Sequence, residues 1–166
     1  MHKLETKQDY WMTQKEYQLV TQKTPIPTAD LLILRKTKKL QVLLLVRKTG
    51  YEKGKWCLIG GRQWKNENLG ETINRQAKQL GVKVKILRPF SPNFPCWIDD
   101  KPSQDMTKHS CTHIYPVKIV SGNPRKEGEE FSGIKWFDPN SLPKMAYDQR
   151  NEILNSIKQL KKFKVV

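Results

Sequence analysis

The chain has 166 residues, the length of one ordinary domain with room for a sizeable buried core. Its 31 Lys and Arg residues outnumber 16 Asp and Glu residues, and a net charge of +15 favours polyanions or phosphorylated small molecules as partners. Three scattered Cys residues exclude a disulfide framework, and no apolar run reaches the length of a membrane helix. We therefore expect a cytoplasmic protein with no membrane partner and no signal peptide.

The first 24 residues are predicted to form an extension with one short helix. Thr13 followed by Glu16 is a capping-box pattern, which predicts that this helix begins near Thr13. Two prolines, Pro25 and Pro27, then end any helix and start an extended segment. Residues 25–166 are predicted to form a single domain.

Two apolar runs, 28–35 and 41–47, predict a hairpin of strands joined by a basic turn at 36–39. Because both runs are almost continuously apolar, we expect central strands covered on both faces. A short strand, 56–59, leads into the adjacent pair Gly60 and Gly61.

Residues 68–80 are predicted to form a helix, because Leu69, Ile73, Ala77 and Leu80 recur at helical spacing and form one apolar stripe. Gly81 follows as a helix-ending glycine.

The remaining elements are predicted in chain order: a strand at 83–90, a long loop at 91–108, strands at 111–120 and 130–137, and a last helix at 148–163. Pro116 predicts an edge position or a bulge in the third of these segments. Because helices do not alternate regularly with strands, the order predicts an α+β fold with a mixed central sheet.

The double glycine, a short loop and the helix together form a loop–helix device. Adjacent glycines let the backbone approach a ligand, and their carbonyl groups can bind a metal ion. Carboxylates on the exposed helix face would complete a Mg²⁺ site beside a diphosphate.

This segment resembles the Nudix box. Gly61 is followed after five residues by Glu67 and after seven more by Arg75, and Leu80, Gly81 and Val82 close the motif. The resemblance implies an α/β/α sandwich and a hydrolase that cleaves a nucleoside diphosphate linked to another moiety with Mg²⁺ or Mn²⁺. It also extends to the order of elements over nearly the whole chain.

The chain departs from the Nudix box at its metal-binding carboxylates. Gln76, Lys78 and Gln79 stand where the pattern has Glu, and the helix is one residue shorter. The resemblance then leaves Glu67, Glu71 and Gln79, with the carbonyls of Gly60 and Gly61, as metal ligands. Because neutral oxygens bind Mg²⁺ poorly, we expect weak metal binding. Alternatively, Glu71 and Arg75 form only a surface ion pair on a solvated helix face.

One branch of the superfamily, the GDP-mannose mannosyl hydrolases, is more similar than the general pattern because it carries Gly-Gly-Arg. The resemblance implies a nucleotide-sugar substrate and assigns Asp30, Arg47 and Arg62 to its binding. The stretch containing Trp97 and His109 is also similar to that branch. However, the segment 122–130 has no His in the place of that branch's general base.

Further candidates remain open between functional and structural roles. Lys55 is predicted to join Arg47 and Arg62 on the diphosphate. Glu129 and Glu130 are candidates for a catalytic base or metal ligand, or for a charged strand edge. The remaining candidates lie on either side of the long loop: Trp64 and Trp97 as stacking platforms or core residues, and His109 with His113 as substrate contacts or a hydrogen-bonded pair.

Two functions follow from these patterns. The first is a Nudix-type hydrolase in which Glu67, Glu71 and Arg75, with Glu129 or Glu130, carry the catalysis. The second is a catalytically impaired module that binds a nucleotide or RNA through its basic surface. The sequence leaves the oligomeric state open, and a homodimer is one of the alternatives.

Overall fold

The computed structural model describes residues 12–50, 52–99, 109–125 and 131–166. The helices within these ranges are α1 (Gln14–Lys23), α2 (Leu69–Gln79) and α3 (Gln149–Lys162). The strands are β1 (Ile26–Lys36), β2 (Leu40–Arg47), β3 (Trp56–Cys57), β4 (Ile59–Arg62), β5 (Lys83–Ile86), β6 (Trp97–Asp99), β7 (Ser110–Ser121) and β8 (Phe131–Phe137). No helix in the described part of the chain is long and apolar enough to cross a membrane.

The strands form one mixed sheet with β1 near its centre. Strand β1 runs parallel to β7 and antiparallel to both β4 and β2. Strand β2 also pairs with β3 and β8. The predicted hairpin is confirmed, since Lys36 pairs with Leu40 across the turn.

Each face of the sheet is covered by one helix. Successive side chains of β1 point to opposite faces, so Leu31 and Ile33 pack in the cluster that contains residues of α2. Leu32 and Leu34 pack in the cluster that contains residues of α3. The predicted α+β fold with an α/β/α sandwich is therefore confirmed, and both faces of the central strands are buried.

The sequence prediction was wrong at several strands. The predicted strand 83–90 ends at Ile86, and the predicted strand 56–59 is two strands, the second of which contains the double glycine. The predicted loop 91–108 contains β6, whose three residues were too short for a periodic signal. Pro116 lies in a central strand, not at an edge, because β7 has β1 on one side and β5 and β6 on the other. The missing N–H of Pro116 is tolerated because it falls between the two partners on that side of β7: pairing with β6 extends to Ile114, and pairing with β5 starts at Val117.

The predicted cap at Thr13 and the predicted helix-ending Gly81 lie at helix boundaries in the structure, and a second cap was not predicted. Thr13 and Glu16 form the capping box of α1, and Asn68 and Glu71 form a second capping box at α2. Helix α2 ends before Gly81, whose φ of +68° is unstrained only for glycine.

Candidate active site

The double glycine lies on β4, directly beside β1. Gly60 pairs with Asp30, and a Cβ atom at Gly60 would overlap Oδ1 of Asp30. A Cβ atom at Gly61 would overlap the side-chain amide of Gln76 on α2. Both positions therefore require glycine, and each lets a polar side chain approach the strand from a different face of the sheet.

Asp30, a predicted substrate-binding residue, is held rigidly on the α3 face. Only 9% of it is exposed, and its Oδ2 accepts a hydrogen bond of 2.9 Å from Nε2 of Gln149. Oε1 of Gln149 accepts a hydrogen bond of 2.9 Å from the backbone N–H of Leu58. Gln149 thus ties Asp30 to the strand that precedes the glycines. No sequence pattern pointed to Gln149, because a single polar residue at a helix start has many explanations.

A second carboxyl group, that of Glu152 on α3, lies close to Asp30. The sequence analysis did not identify Glu152 as a site residue. Burial raises the pKa of Glu152 to about 9, with further contributions from a hydrogen bond to Asp99 and from the negative charges of Asp30, Asp99 and Asp148. Its Oε2 is buried and has no hydrogen-bond partner among the described residues. The carboxyl group is therefore neutral at pH 7.

Glu67, a predicted metal ligand and catalytic residue, forms an ion pair with Arg75. Its two carboxylate oxygens accept hydrogen bonds of 2.7 and 2.8 Å from Nε and Nη2 of Arg75. Oε2 also accepts from the backbone N–H of Trp64 and from the hydroxyl of Thr72. Burial alone would raise the pKa of Glu67, but the hydrogen bonds from Arg75, Trp64 and Thr72 outweigh it and lower the pKa.

Arg75 ties this pair to the loop after the glycines. Its Nη2 donates to the backbone carbonyl of Arg62 at 2.8 Å, and its guanidinium lies 3.9 Å from the ring centre of Trp64. Trp64, a candidate stacking platform, therefore stacks on Arg75. The alternative pairing of Glu71 with Arg75 was wrong, because the carboxylate of Glu71 instead accepts from the N–H of Asn68 at 2.7 Å.

Arg47, a predicted phosphate-binding residue, lies at the end of β2. Its guanidinium is 5.6 Å from the ring centre of Tyr147, and its Nε is buried without a hydrogen-bond partner among the described residues. The neighbouring Lys55, predicted for the same role, forms an ion pair with Glu52. The backbone N–H of Arg47 donates to the carbonyl of Lys55 at 3.0 Å, so both residues belong to one end of the sheet.

Arg62 lies farther along the chain than Arg47 and Lys55, at the end of β4. Arg47 adjoins the start of β3, whereas Arg62 ends β4, six residues after Trp56. The guanidinium of Arg62 lies 5.9 Å from the ring centre of Tyr17, so α1 contacts the loop after the glycines.

The other predicted residues lie around β6 and β7. Trp97 pairs with Ile114 and packs partly buried against the α3 cluster. His109 precedes β7, and its carbonyl accepts a hydrogen bond of 2.8 Å from the N–H of Ile26. Nδ1 of His113 lies 3.3 Å from the carbonyl oxygen of Thr28.

Glu129 and Glu130 lie outside the described residues. The described residues on either side of their segment are both anchored. The N–H of Arg125 donates to the carbonyl of Leu80 at the end of α2, and Phe131 pairs with Arg47.

Comparisons with known proteins agree with this architecture. The NUDIX domain family model matches residues 24–157. An ADP-ribose pyrophosphatase from Methanocaldococcus jannaschii is 29% identical over 119 residues, which cover 70% of this chain and 65% of that protein. The match thus spans less than two thirds of that relative's length.

Two solved structures share the fold at low identity. A MutT NUDIX hydrolase from Burkholderia pseudomallei has a TM-score of 0.68 at 21% identity, covering 81% of this chain and 99% of that one. The NUDIX domain of Shewanella oneidensis NrtR, complexed with ADP ribose, has a TM-score of 0.66 at 22% identity, covering 90% and 99%. The chain belongs to the NUDIX family.

Hydrolases of this family generally use divalent metal ions, but α2 does not fit one here. Glu67 is saturated by Arg75, Trp64 and Thr72, and Glu71 caps the helix. Gln76 and Gln79 are neutral, and Gln79 is exposed to solvent. Among the described residues, no group of three or more His, Cys, Asp or Glu side chains could hold a metal ion.

Proposed function

We propose that the protein binds a nucleoside diphosphate linked to a second group, and that it hydrolyses this compound slowly. The observation that carries the proposal is the buried Nε of Arg47, which has no hydrogen-bond partner among the described residues. A buried charged donor without an acceptor costs several kcal/mol, so such a group normally has a partner in the functional state. A phosphate oxygen of the ligand would be that partner.

The surroundings of Arg47 suit a phosphate group. The ring of Tyr147 faces the guanidinium at 5.6 Å, and Tyr147 has a φ of +52°, a conformation that is rare for a bulky residue and that clusters at functional sites. The planar guanidinium can donate two parallel hydrogen bonds to one phosphate. Lys55 lies at the same end of the sheet, where its ammonium group is paired with the carboxylate of Glu52.

The catalytic carboxylate that we propose comes from Glu129 or Glu130. Glu130 directly precedes Phe131 in the sequence, and Phe131 pairs with Arg47, so a base at this point of the chain would suit a phosphate held by Arg47. No step is assigned to Glu67 or Glu71, because their carboxylates support the loop and the start of α2. Without the carboxylates of α2, we expect slow turnover.

The second group of the ligand is proposed to be a sugar. Asp30 is the candidate for binding its hydroxyl groups, because a rigidly held carboxylate accepts such hydrogen bonds. The resemblance to GDP-mannose mannosyl hydrolases favours a nucleotide sugar. The relative named as an ADP-ribose pyrophosphatase and the structure complexed with ADP ribose favour ADP-ribose, which is also a nucleoside diphosphate linked to a sugar.

Calorimetric titration of ADP-ribose and GDP-mannose into the protein tests binding, first in EDTA and then with Mg²⁺. We expect binding of one of the two in EDTA. Arg47→Ala should weaken it by about 2 kcal/mol, the scale of a hydrogen bond to a charged group. Lys48→Ala is the matched control, because Lys48 is the exposed next residue and carries the same charge. Equal losses in both variants, or no binding of either compound, would contradict the proposal.

A specific observation favours a second candidate, a module that binds without hydrolysis. The Gln76 amide packs against Gly61, where the family pattern has a carboxylate. Assay of the same two compounds with Mg²⁺ and Mn²⁺ separates the candidates. Release of product that disappears in a Glu129→Gln/Glu130→Gln variant supports the hydrolase, whereas binding without product supports the module.

A further inference from the structure

A basic groove lies at the end of the sheet away from the double glycine. It has a volume of about 560 Å³ and is lined by the following residues: Lys39, Leu40, Asp138, Pro139, Asn140, Leu154, Ile157, Lys158 and Lys161. Lys36, which pairs with Leu40 beside the groove, is six residues along β1 from Asp30. The groove is therefore roughly 20 Å from Asp30 and Gly60 along an extended strand.

The groove combines an apolar floor with a positively charged rim. Leu40, Leu154 and Ile157 supply the floor, and Leu154 is 39% exposed although it is a large apolar side chain. Leu154, Lys158 and Lys161 follow one another at helical spacing, so they lie along one side of α3. The lysines can contact phosphates while the floor contacts an apolar face.

The groove contains little negative charge. Asp138 is the one acidic residue among those that line it, and its carboxylate lies 3.8 Å from Nζ of Lys39. The same carboxylate accepts hydrogen bonds of 2.8 and 3.0 Å from the backbone and side chain of Asn140.

Further lysines extend the positive surface beyond the groove on both sides. Lys36 and Lys38 are exposed in or beside the β1–β2 turn, and Lys162 and Lys164 are exposed at the end of α3. Several exposed lysines near the groove can contact more than one phosphate, which favours a strand over a mononucleotide.

We propose that this groove binds single-stranded nucleic acid, with phosphates on Lys39, Lys158 and Lys161 and a base on the apolar floor. The inference does not rest on the proposed function, because it uses none of the residues near Gly60. Three lysines against one acidic residue give the groove a net positive charge that complements the phosphates, and the aliphatic floor can contact the face of a base.

Fluorescence anisotropy with a labelled ten-nucleotide oligouridylate and the full-length protein tests the proposal. The variant Lys39→Gln/Lys158→Gln/Lys161→Gln should bind at least tenfold more weakly. The slope of log affinity against log salt concentration should be less steep by about 2, because each lost phosphate contact to a single strand reduces this slope by about 0.7. The matched control, Lys78→Gln/Lys83→Gln/Lys85→Gln, removes three exposed lysines on and after α2 and should retain the wild-type affinity.

Three outcomes would overturn the proposal. Equal losses in the two triple variants would show diffuse attraction to the whole basic surface. A loss in Arg47→Ala as large as in the groove variant would place the strand at the other end of the sheet. Equal competition by polyglutamate or inorganic polyphosphate of the same charge would show that bases play no part.

Discussion

Replacing Glu152 by Gln should stabilise the protein increasingly as the pH rises. In the folded state the pKa of Glu152 is raised to about 9 by burial and by the neighbouring Asp99, Asp30 and Asp148. In the unfolded chain the same group ionises near pH 4.5. Folding above that pH therefore requires the carboxyl group to take up a proton, and the wild type loses stability as the pH rises from about 4.5 to 9.

The magnitude follows from the two pKa values. Each pH unit between them costs the wild type about 1.4 kcal/mol, so the loss by pH 7.5 approaches about 4 kcal/mol. Gln has nearly the same shape, stays neutral and can still donate to Asp99. The variant should therefore match the wild type near pH 4.5 and exceed it by a few kcal/mol at pH 7.5.

Urea unfolding of both proteins at pH 5, 6, 7 and 8 measures this difference. Ser156→Ala is the matched control, because Ser156 is buried on the same helix, does not titrate, and its hydroxyl group has no hydrogen-bond partner within the described part of the chain. Its offset from the wild type should be constant across the series. If the Glu152→Gln offset were also constant, the carboxyl group would not be held neutral by its surroundings, and this reasoning would be refuted.

Three further predictions concern α2 and the double glycine. Glu67→Gln should lower the free energy of unfolding by about 2 kcal/mol at pH 7, as measured in urea, and leave Mg²⁺ affinity unchanged. Because the pKa of Glu67 is lowered in the folded state, the wild type loses this stability advantage as the pH falls below about 4.5. A large change in Mg²⁺ affinity would show that the carboxylate binds metal. Gly61→Ala should destabilise by about 1–3 kcal/mol through overlap with Gln76, and adding Gln76→Ala should recover part of the loss, whereas additive losses would place the strain elsewhere. Gln76→Glu/Gln79→Glu should tighten Mg²⁺ binding at least tenfold by calorimetry, and no change would mean that the neutral amides are not what weakens the site.

Much of the fold followed from sequence patterns, because the elements that form the core are long and periodic. The run 28–35 and the stripe from Leu69 to Leu80 carried strong signals, and the caps at Thr13 and Asn68 fall where side-chain chemistry stabilises a helix start. Strand β6 escaped detection because its pairing with β7 is a tertiary contact that three residues do not encode locally.

The candidate site was harder to predict, since its chemistry depends on which side chains meet in space. Glu67 and Arg75 were found by spacing, but their mutual pairing, which removes Glu67 from metal binding, appears only in three dimensions. Gln149 and Glu152 reach Asp30 from another element of the fold, 119 residues away in the first case, so no local pattern could connect them.

A crystal structure of the protein with the bound nucleoside diphosphate compound, grown in EDTA, tests the central claim most directly. The account predicts a phosphate oxygen within about 3.2 Å of the buried Nε of Arg47, which would satisfy its missing hydrogen bond. A diphosphate held by Arg62 alone, with Nε of Arg47 still without a ligand partner, would contradict the account.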